Sequence, residues 1–297
     1  MKKVKGKFAN MNSGALCTSD MKQFKYKLFY AFLCVFMLFW FAIVVLPCLW
    51  LAVSGFKTAA EINASKNVTF FPKEFNLHKI VDAWNTLKYS KFYLNTFFLA
   101  IGCVISDLIV SGLAGYVLSR LRPKGYKAIL STVFCLMILP TTGTTVPIYI
   151  TFKNAGLLNT YWPMWLMAGA SMFNIVLFKT NFDGVSNSLI EAAKIDGASN
   201  LTIFTKIMIP LSMPVIMTVA LFTFNGQFGN FFWPNLILTN PQKYTLGVQV
   251  YKIQQQGNVT DDIKMMGIIF TVAPQIIIFA LFQKQIMGGM NLGGVKG

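Results

Sequence analysis

The chain has 297 residues, 55% of them hydrophobic and only 12% charged, with a formal net charge of +16. So little charge excludes a soluble domain of this size, and the 26 basic residues are parcelled out between apolar runs, which argues against nucleic acid as a partner. Six apolar runs, at 28–53, 92–118, 128–152, 161–178, 213–238 and 265–282, each approach the ~20 residues that cross a bilayer core as a helix. The expected fold class is therefore all-α: a polytopic membrane protein with six transmembrane helices.

In chain order, residues 1–27 form a basic segment whose lysines suit contact with membrane lipid headgroups. The first run, 28–53, is far longer than the ~7–15 apolar residues of a cleaved secretion signal, so it is expected to stay as a span. Residues 54–91 form the longest loop, with Phe70-Phe71-Pro72 as a breaker and a short amphipathic helix expected over 77–87, lying on the outer surface. The second run contains Asp107, the only acid in any of the six. A charge there is expensive, so it faces either a pathway or a partner helix, or it is paired or neutralised structurally. In the third run Pro140 and Pro147 flank Thr141-Thr142-Gly143-Thr144-Thr145, which predicts a kink or an interruption. Broken backbone at membrane depth requires protein or a water-filled cavity beside it. The fifth run is the least oily, and Asn225, Gln227, Asn230 and Trp233 are its candidates for a translocation pathway or for interhelical hydrogen bonding. The domain division expected is thus 1–27, a six-helix membrane domain at 28–282, and a glycine-rich tail at 283–297.

Placing the amino terminus inside puts 16 of the 26 basic residues on the cytoplasmic side, including the dense cluster Arg120, Arg122, Lys124 and Lys127. Both termini, the tail and the segment at about 184–210 are then cytoplasmic, and loop 54–91 is external. Five scattered cysteines without a C-x-x-C pair read as small apolar residues, and a single histidine, His78, leaves no basis for a metal site. No phosphate-cradling G-x-x-x-x-G-K-[ST], no H-E-x-x-H and no G-x-S-x-G is present, so neither catalytic residues nor a bound cofactor are expected on this chain.

The stretch EAAKIDGAS at 191–199 is compact and polar amid apolar surroundings. Ser186 is placed to cap a helix over about 187–195, Ala192 and Ala193 leave one side of it bare, and Asp196-Gly197 ends it with a left-handed glycine. A second helix, with Leu201, Phe204, Ile207 and Met208 at helical spacing, is expected to end at Pro210. The longer stretch EAAKIDGASNLTIFTKIMIPLSMP resembles the EAA loop of the permease subunits of binding-protein-dependent ABC importers, in particular the MalG-like carbohydrate family. LNTFFLAIGCVISDLIVSGLAGYVLSRL at 94–121, MILPTTGTTVPIYITFKNAGLLNTYW at 137–162 and LFQKQIMGGMNLGGVKG at 281–297 extend the resemblance from about residue 28 to the end.

That resemblance implies a permease of the bacterial cytoplasmic membrane that translocates an oligosaccharide or related sugar. Its implied partners are a second homologous permease, two cytoplasmic ATPase subunits that hold the ATP and magnesium, and an extracytoplasmic solute-binding protein. Carried over residue by residue, Glu191, Ala192, Ala193, Asp196, Gly197 and Ala198 form the surface that couples to the ATPase. Two departures stand out: a proline common before the first coupling helix is Ser186 here, and a usual Trp-Asn pair in the fifth span is Phe228-Gly229. The latter puts any sugar contact there in doubt. The rival reading is a self-sufficient secondary transporter, which needs coupling-ion sites at mid-membrane and usually an internal repeat. Asp107 alone is thin support for it. A membrane enzyme is a further rival, for which no nucleophile and base stand out.

Overall fold

The computed structural model describes residues 24–64, 69–138, 141–257 and 259–291; most of the amino-terminal basic segment and the end of the tail lie outside that range. Among the described residues every regular element is helical. The chain begins with α1 (Phe24–Ser54), continues through the single turn α2 (Ala59–Ile62) and reaches α3 (His78–Thr86), the helix predicted over 77–87. Helix α4 (Tyr89–Tyr116) runs on as a π-helical turn over Val117–Leu121. It is followed by α5 (Tyr126–Ile138), a 3-10 turn over Thr141–Thr144 and α6 (Thr145–Asn154). The third apolar run is thus interrupted at the threonine cluster between the two prolines, as expected.

The fourth run is divided where no division was expected, into α7 (Trp162–Gly169) and α8 (Met172–Asp183). Gly169-Ala170-Ser171 explains it locally: Ser171 takes an extended backbone conformation and its side chain accepts from the Asn174 N–H, starting a new helix. Next come α9 (Asn187–Ile195) and α10 (Asn200–Ile203), a second π turn over Phe204–Met208 and α11 (Ile209–Leu211). The second helix of the loop therefore passes through Pro210 and stops at Ser212. There the chain bends by 79° into α12 (Met213–Phe228). The fifth run also breaks, between α12 and α13 (Phe232–Ile237), and α14 (Leu246–Gln254) and α15 (Asp261–Asn291) complete the chain.

Three helical stretches, Lys27–Ser54, Tyr89–Leu121 and Asp261–Gln283, are long and apolar enough to cross a bilayer alone, and a fourth joins them if the bent pair is counted as one. The other apolar runs are assembled from shorter pieces. Helix α4 is the hub, packed against α7, α8 and α12, while α15 packs on α12 and α1. At Gly115 a Cβ would lie 2.6 Å from the Phe178 Cβ and 3.0 Å from the Lys179 backbone nitrogen, so α4 and α8 approach as closely as backbones allow. One hydrophobic cluster joins Tyr116, Phe178, Ile190, Ile203 and Met208 beneath the loop. A second joins Tyr89, Phe228 and Leu246 at the other end. That end is stapled by Lys79, whose Nζ donates to Asp262 Oδ2 at 3.1 Å. Most of α1 exposes aromatic and aliphatic side chains, the surface a bilayer solvates.

Candidate functional site

Asp107 sits within α4 and is 1% exposed. Ser111 Oγ, one turn along the same helix, donates to its Oδ1 at 2.7 Å, and Asn174 Nδ2 of α8 donates to its Oδ2 at 2.6 Å. The Thr223 hydroxyl of α12 donates to the same Oδ2. One carboxyl group thus ties three helices together, and both of its oxygens accept from uncharged donors. It also lines a cavity of about 340 Å3 together with Met164, Phe222, Gln227, Asn230 and Trp233.

Four of the five residues singled out for a pathway therefore meet around one space, with Asn230 Nδ2 donating to Gln227 Oε1 at 3.4 Å. Asn225 does not join them; it is exposed. At about 100° per residue it lies roughly 200° round the helix from Thr223 and Gln227, on the opposite face of α12. Sequence reading missed Asn174 and Thr223, although an amide and a hydroxyl inside apolar runs are the kind of signal that marks such partners. The Phe228-Gly229 pair contributes nothing to the cavity. Phe228 is buried, and a Cβ at Gly229 would stand 3.0 Å from the Gln275 Nε2 of α15, a side-chain end that would have to shift.

The second constellation is the α9–α10 loop. Ser186 Oγ accepts from the Ser188 N–H at 3.3 Å to start α9. At the far end Gly197 has φ 79°, the Gly197 N–H donates to Lys194 O at 3.0 Å and the Ala198 N–H to Ala193 O at 2.9 Å. That paired pattern is a Schellman motif, which satisfies the last carbonyls of the helix. Ser199 then caps α10 by accepting from Thr202 N at 3.2 Å. Of the six residues the resemblance assigns to coupling, Glu191, Ala192, Asp196 and Gly197 are exposed. Ala193 and Ala198 are half-buried and pack inward on the cluster around Ile190.

The buried stripe of the second helix also differs from expectation. Ile203 and Met208 are both fully buried and five residues apart, the spacing of the π turn they bracket, while Leu201 is 66% exposed. With Ile195, 87% exposed, it gives the tip two uncovered apolar side chains.

The loop is fastened to the end of α4. The Arg120 guanidinium donates to the carbonyls of Phe182 and Val185 and to Asn187 Oδ1. Its neighbour Ser119 donates to Asp183 Oδ1 at 2.6 Å, and Tyr116 Oη donates to Asn200 O at 3.2 Å. Burial pushes the Asp183 carboxyl up, but hydrogen bonds from Lys179 and Ser119 and the charges of Lys179 and Arg122 more than offset this and hold it below its usual range. In sequence, Arg120 and Arg122 are legible only as topology charges; the acceptors of Arg120 and the carboxylate paired with Arg122 lie more than 60 residues away.

Comparison with known proteins gives a consistent kinship. The family model for the binding-protein-dependent transport system inner membrane component matches residues 108–290. The chain is 28% identical over 291 residues to the galactooligosaccharides transport system permease protein GanQ of Bacillus subtilis (strain 168), spanning 94% of this chain and 99% of that protein. It is 30% identical over 286 residues to the polygalacturonan/rhamnogalacturonan transport system permease protein YtcP of the same organism, spanning 91% and 97%. A solved structure of a bacterial ABC transporter involved in the import of the acidic polysaccharide alginate aligns with a TM-score of 0.77, covering 88% of this chain and 98% of that one. At 22% identity that likeness concerns the fold.

Proposed function

Because this chain belongs to the family of binding-protein-dependent transport system inner membrane components, as a carbohydrate ABC-importer permease, we propose that it forms part of the path for an oligosaccharide delivered by an extracytoplasmic solute-binding protein. In this reading it spans the cytoplasmic membrane six times with both termini inside. It pairs with a second homologous permease, and the α9–α10 loop docks on one of two cytoplasmic ATPase subunits that bind ATP and magnesium. The chain itself holds no cofactor.

The observation that carries the reading is a continuous mechanical line. The exposed loop is pinned through Arg120, Ser119 and Tyr116 to α4, and thirteen residues before Arg120 the same helix carries Asp107 at the cavity. ATPase closure acting on the loop then moves a wall of the cavity, which is alternating access driven by a population shift. Glu191, Ala192, Asp196 and Gly197 supply the docking surface, joined by Ile195 and Leu201, while Ala193 and Ala198 hold the loop to its base. Asp107, Gln227, Asn230 and Trp233 supply the pathway surface.

The test is ATP-dependent uptake of oligosaccharide by the assembly reconstituted in proteoliposomes with its binding protein, and the expectation is that uptake stops when the ATPase is inactivated. Uptake that persists without hydrolysis and follows an imposed ion gradient would identify a secondary transporter instead. Orientation is tested separately: a cysteine replacing exposed Glu74 should react with an impermeant maleimide in intact cells, and one replacing Lys124 should not.

A further inference from the structure

Kinship leaves the charge of the cargo open, because galactooligosaccharides, named for one relative, are neutral and polygalacturonan, named for another, is anionic. The cavity is more informative. Among the described residues, Asp107 is the only ionisable one that lines it. No Lys, Arg or His occurs at 92–119, 154–178 or 207–242, the stretches that contribute its walls. Both carboxyl oxygens of Asp107 accept hydrogen bonds, and the Asn174 amide nitrogen can act only as a donor. Three donors, two from other helices and one from the next turn of the same helix, hold the carboxyl in one place at the cavity wall, where a carboxylate charge is felt across the space.

From this we infer that Asp107 makes the cavity a charge filter: it admits neutral or amine-bearing oligosaccharides and rejects those carrying uronate groups. The inference rests on the importer reading above and adds the substrate class to it. A structural tie between helices requires the hydrogen bonds of Asp107 but not its charge. A filter requires the charge, and at an effective dielectric constant near 20 a second carboxylate in so narrow a space is disfavoured on the order of tenfold to a hundredfold. Asp107 acts here as a specificity-determining residue, discriminating through its field while Gln227, Asn230 and Trp233 offer the amide and aromatic surfaces that suit sugar hydroxyls and ring faces.

The experiment uses the complete permease–ATPase assembly in lipid nanodiscs, with the solute-binding protein omitted so that its own selectivity does not enter. Equilibrium dialysis measures binding of a panel of neutral tetrasaccharides, each matched with its C6-oxidised uronate counterpart. The expected result is a neutral-to-uronate affinity ratio of about ten or more for the wild type, falling to about three or less in Asp107→Asn. Gln227→Lys, which places a cation on the lining outside the hydrogen-bond set of Asp107, should lower the ratio further or invert it and keeps the readout if Asp107→Asn does not assemble. A wild-type ratio near one, or a ratio unmoved in either variant, overturns the filter and leaves the importer reading standing. If no saccharide of either kind binds the wild-type assembly, the cavity is not a saccharide site and the filter fails, while the importer reading is decided by the uptake assay with the binding protein present.

Discussion

The cavity around Asp107 and the α9–α10 loop are built on opposite plans. The cavity depends on partners 67 and 116 residues apart in the chain, meeting at a buried carboxyl whose hydrogen bonds replace its contact with water. The loop is made of bonds between residues two to five apart on a largely exposed segment, so each of its turns is specified by its own few residues. Its base is long-range, fastened through Arg120, Ser119 and Tyr116. A loop of this kind keeps its shape while it is pushed, and a cavity held by one three-way tie can shift as a unit. Shape is local where contact with a partner is proposed and global where passage is proposed.

Two glycines put that contrast to its strongest test. Gly115→Val forces a side chain into the α4–α8 contact, where even a Cβ falls 2.6 Å from Phe178. Overpacking of this kind costs about 1–3 kcal/mol or more, and because the contact is global the amount of assembled, detergent-extractable complex should drop at least ~tenfold. Gly197→Val meets no atom within 4 Å and strains only its own left-handed backbone, by about 1–2 kcal/mol. Assembly should stay within about twofold of wild type while uptake and substrate-stimulated hydrolysis fall by roughly tenfold. Wild-type hydrolysis and uptake in Gly197→Val would remove the loop from the coupling path.

The junction between the two plans should give an intermediate effect. Arg120→Gln removes a fork that reaches three acceptors at once, so hydrolysis should continue while sugar moved per ATP falls about threefold to tenfold. Arg120→Lys should resemble Gln and not wild type, because an ammonium cannot span the same planar set. Rescue by Lys would mean that only the charge matters. The smallest effect belongs to Glu191→Ala, since an exposed charge contact is typically worth about 0–1 kcal/mol, which limits the loss of stimulated hydrolysis to about fivefold.

The same division governs what the sequence discloses. Ser186, Gly197 and Ser199 act on neighbours within five residues, so the ends of α9 and the turn after it can be read from composition and spacing. The threonine cluster between two prolines likewise announces its own interruption. Asp107 is conspicuous as a lone acid, but its partners on α8 and α12 follow from packing that no local pattern encodes. Leu201 looks buried under a 3.6-residue period and is not, because the π turn from Phe204 changes the period just where the extrapolation begins. Asn225 looks like its neighbours in polarity and differs from them only by its angle on the helix.

The 79° corner at Ser212 makes α10–α11 and α12 the two arms of a bell crank. The corner is braced: Ser212 is fully buried, its N–H is shared between Met208 O and Ile209 O, and its own carbonyl accepts from Ile216 N. In the importer reading proposed above, a push across the end of the first arm emerges as sideways travel at the far end of the second, and almost none of it as motion along the axis of α12. A lever bent this way redirects force without multiplying it. On that reading Thr223 and Gln227 on the far arm swing across the cavity they line, widening or narrowing it, and are not driven along it like a piston.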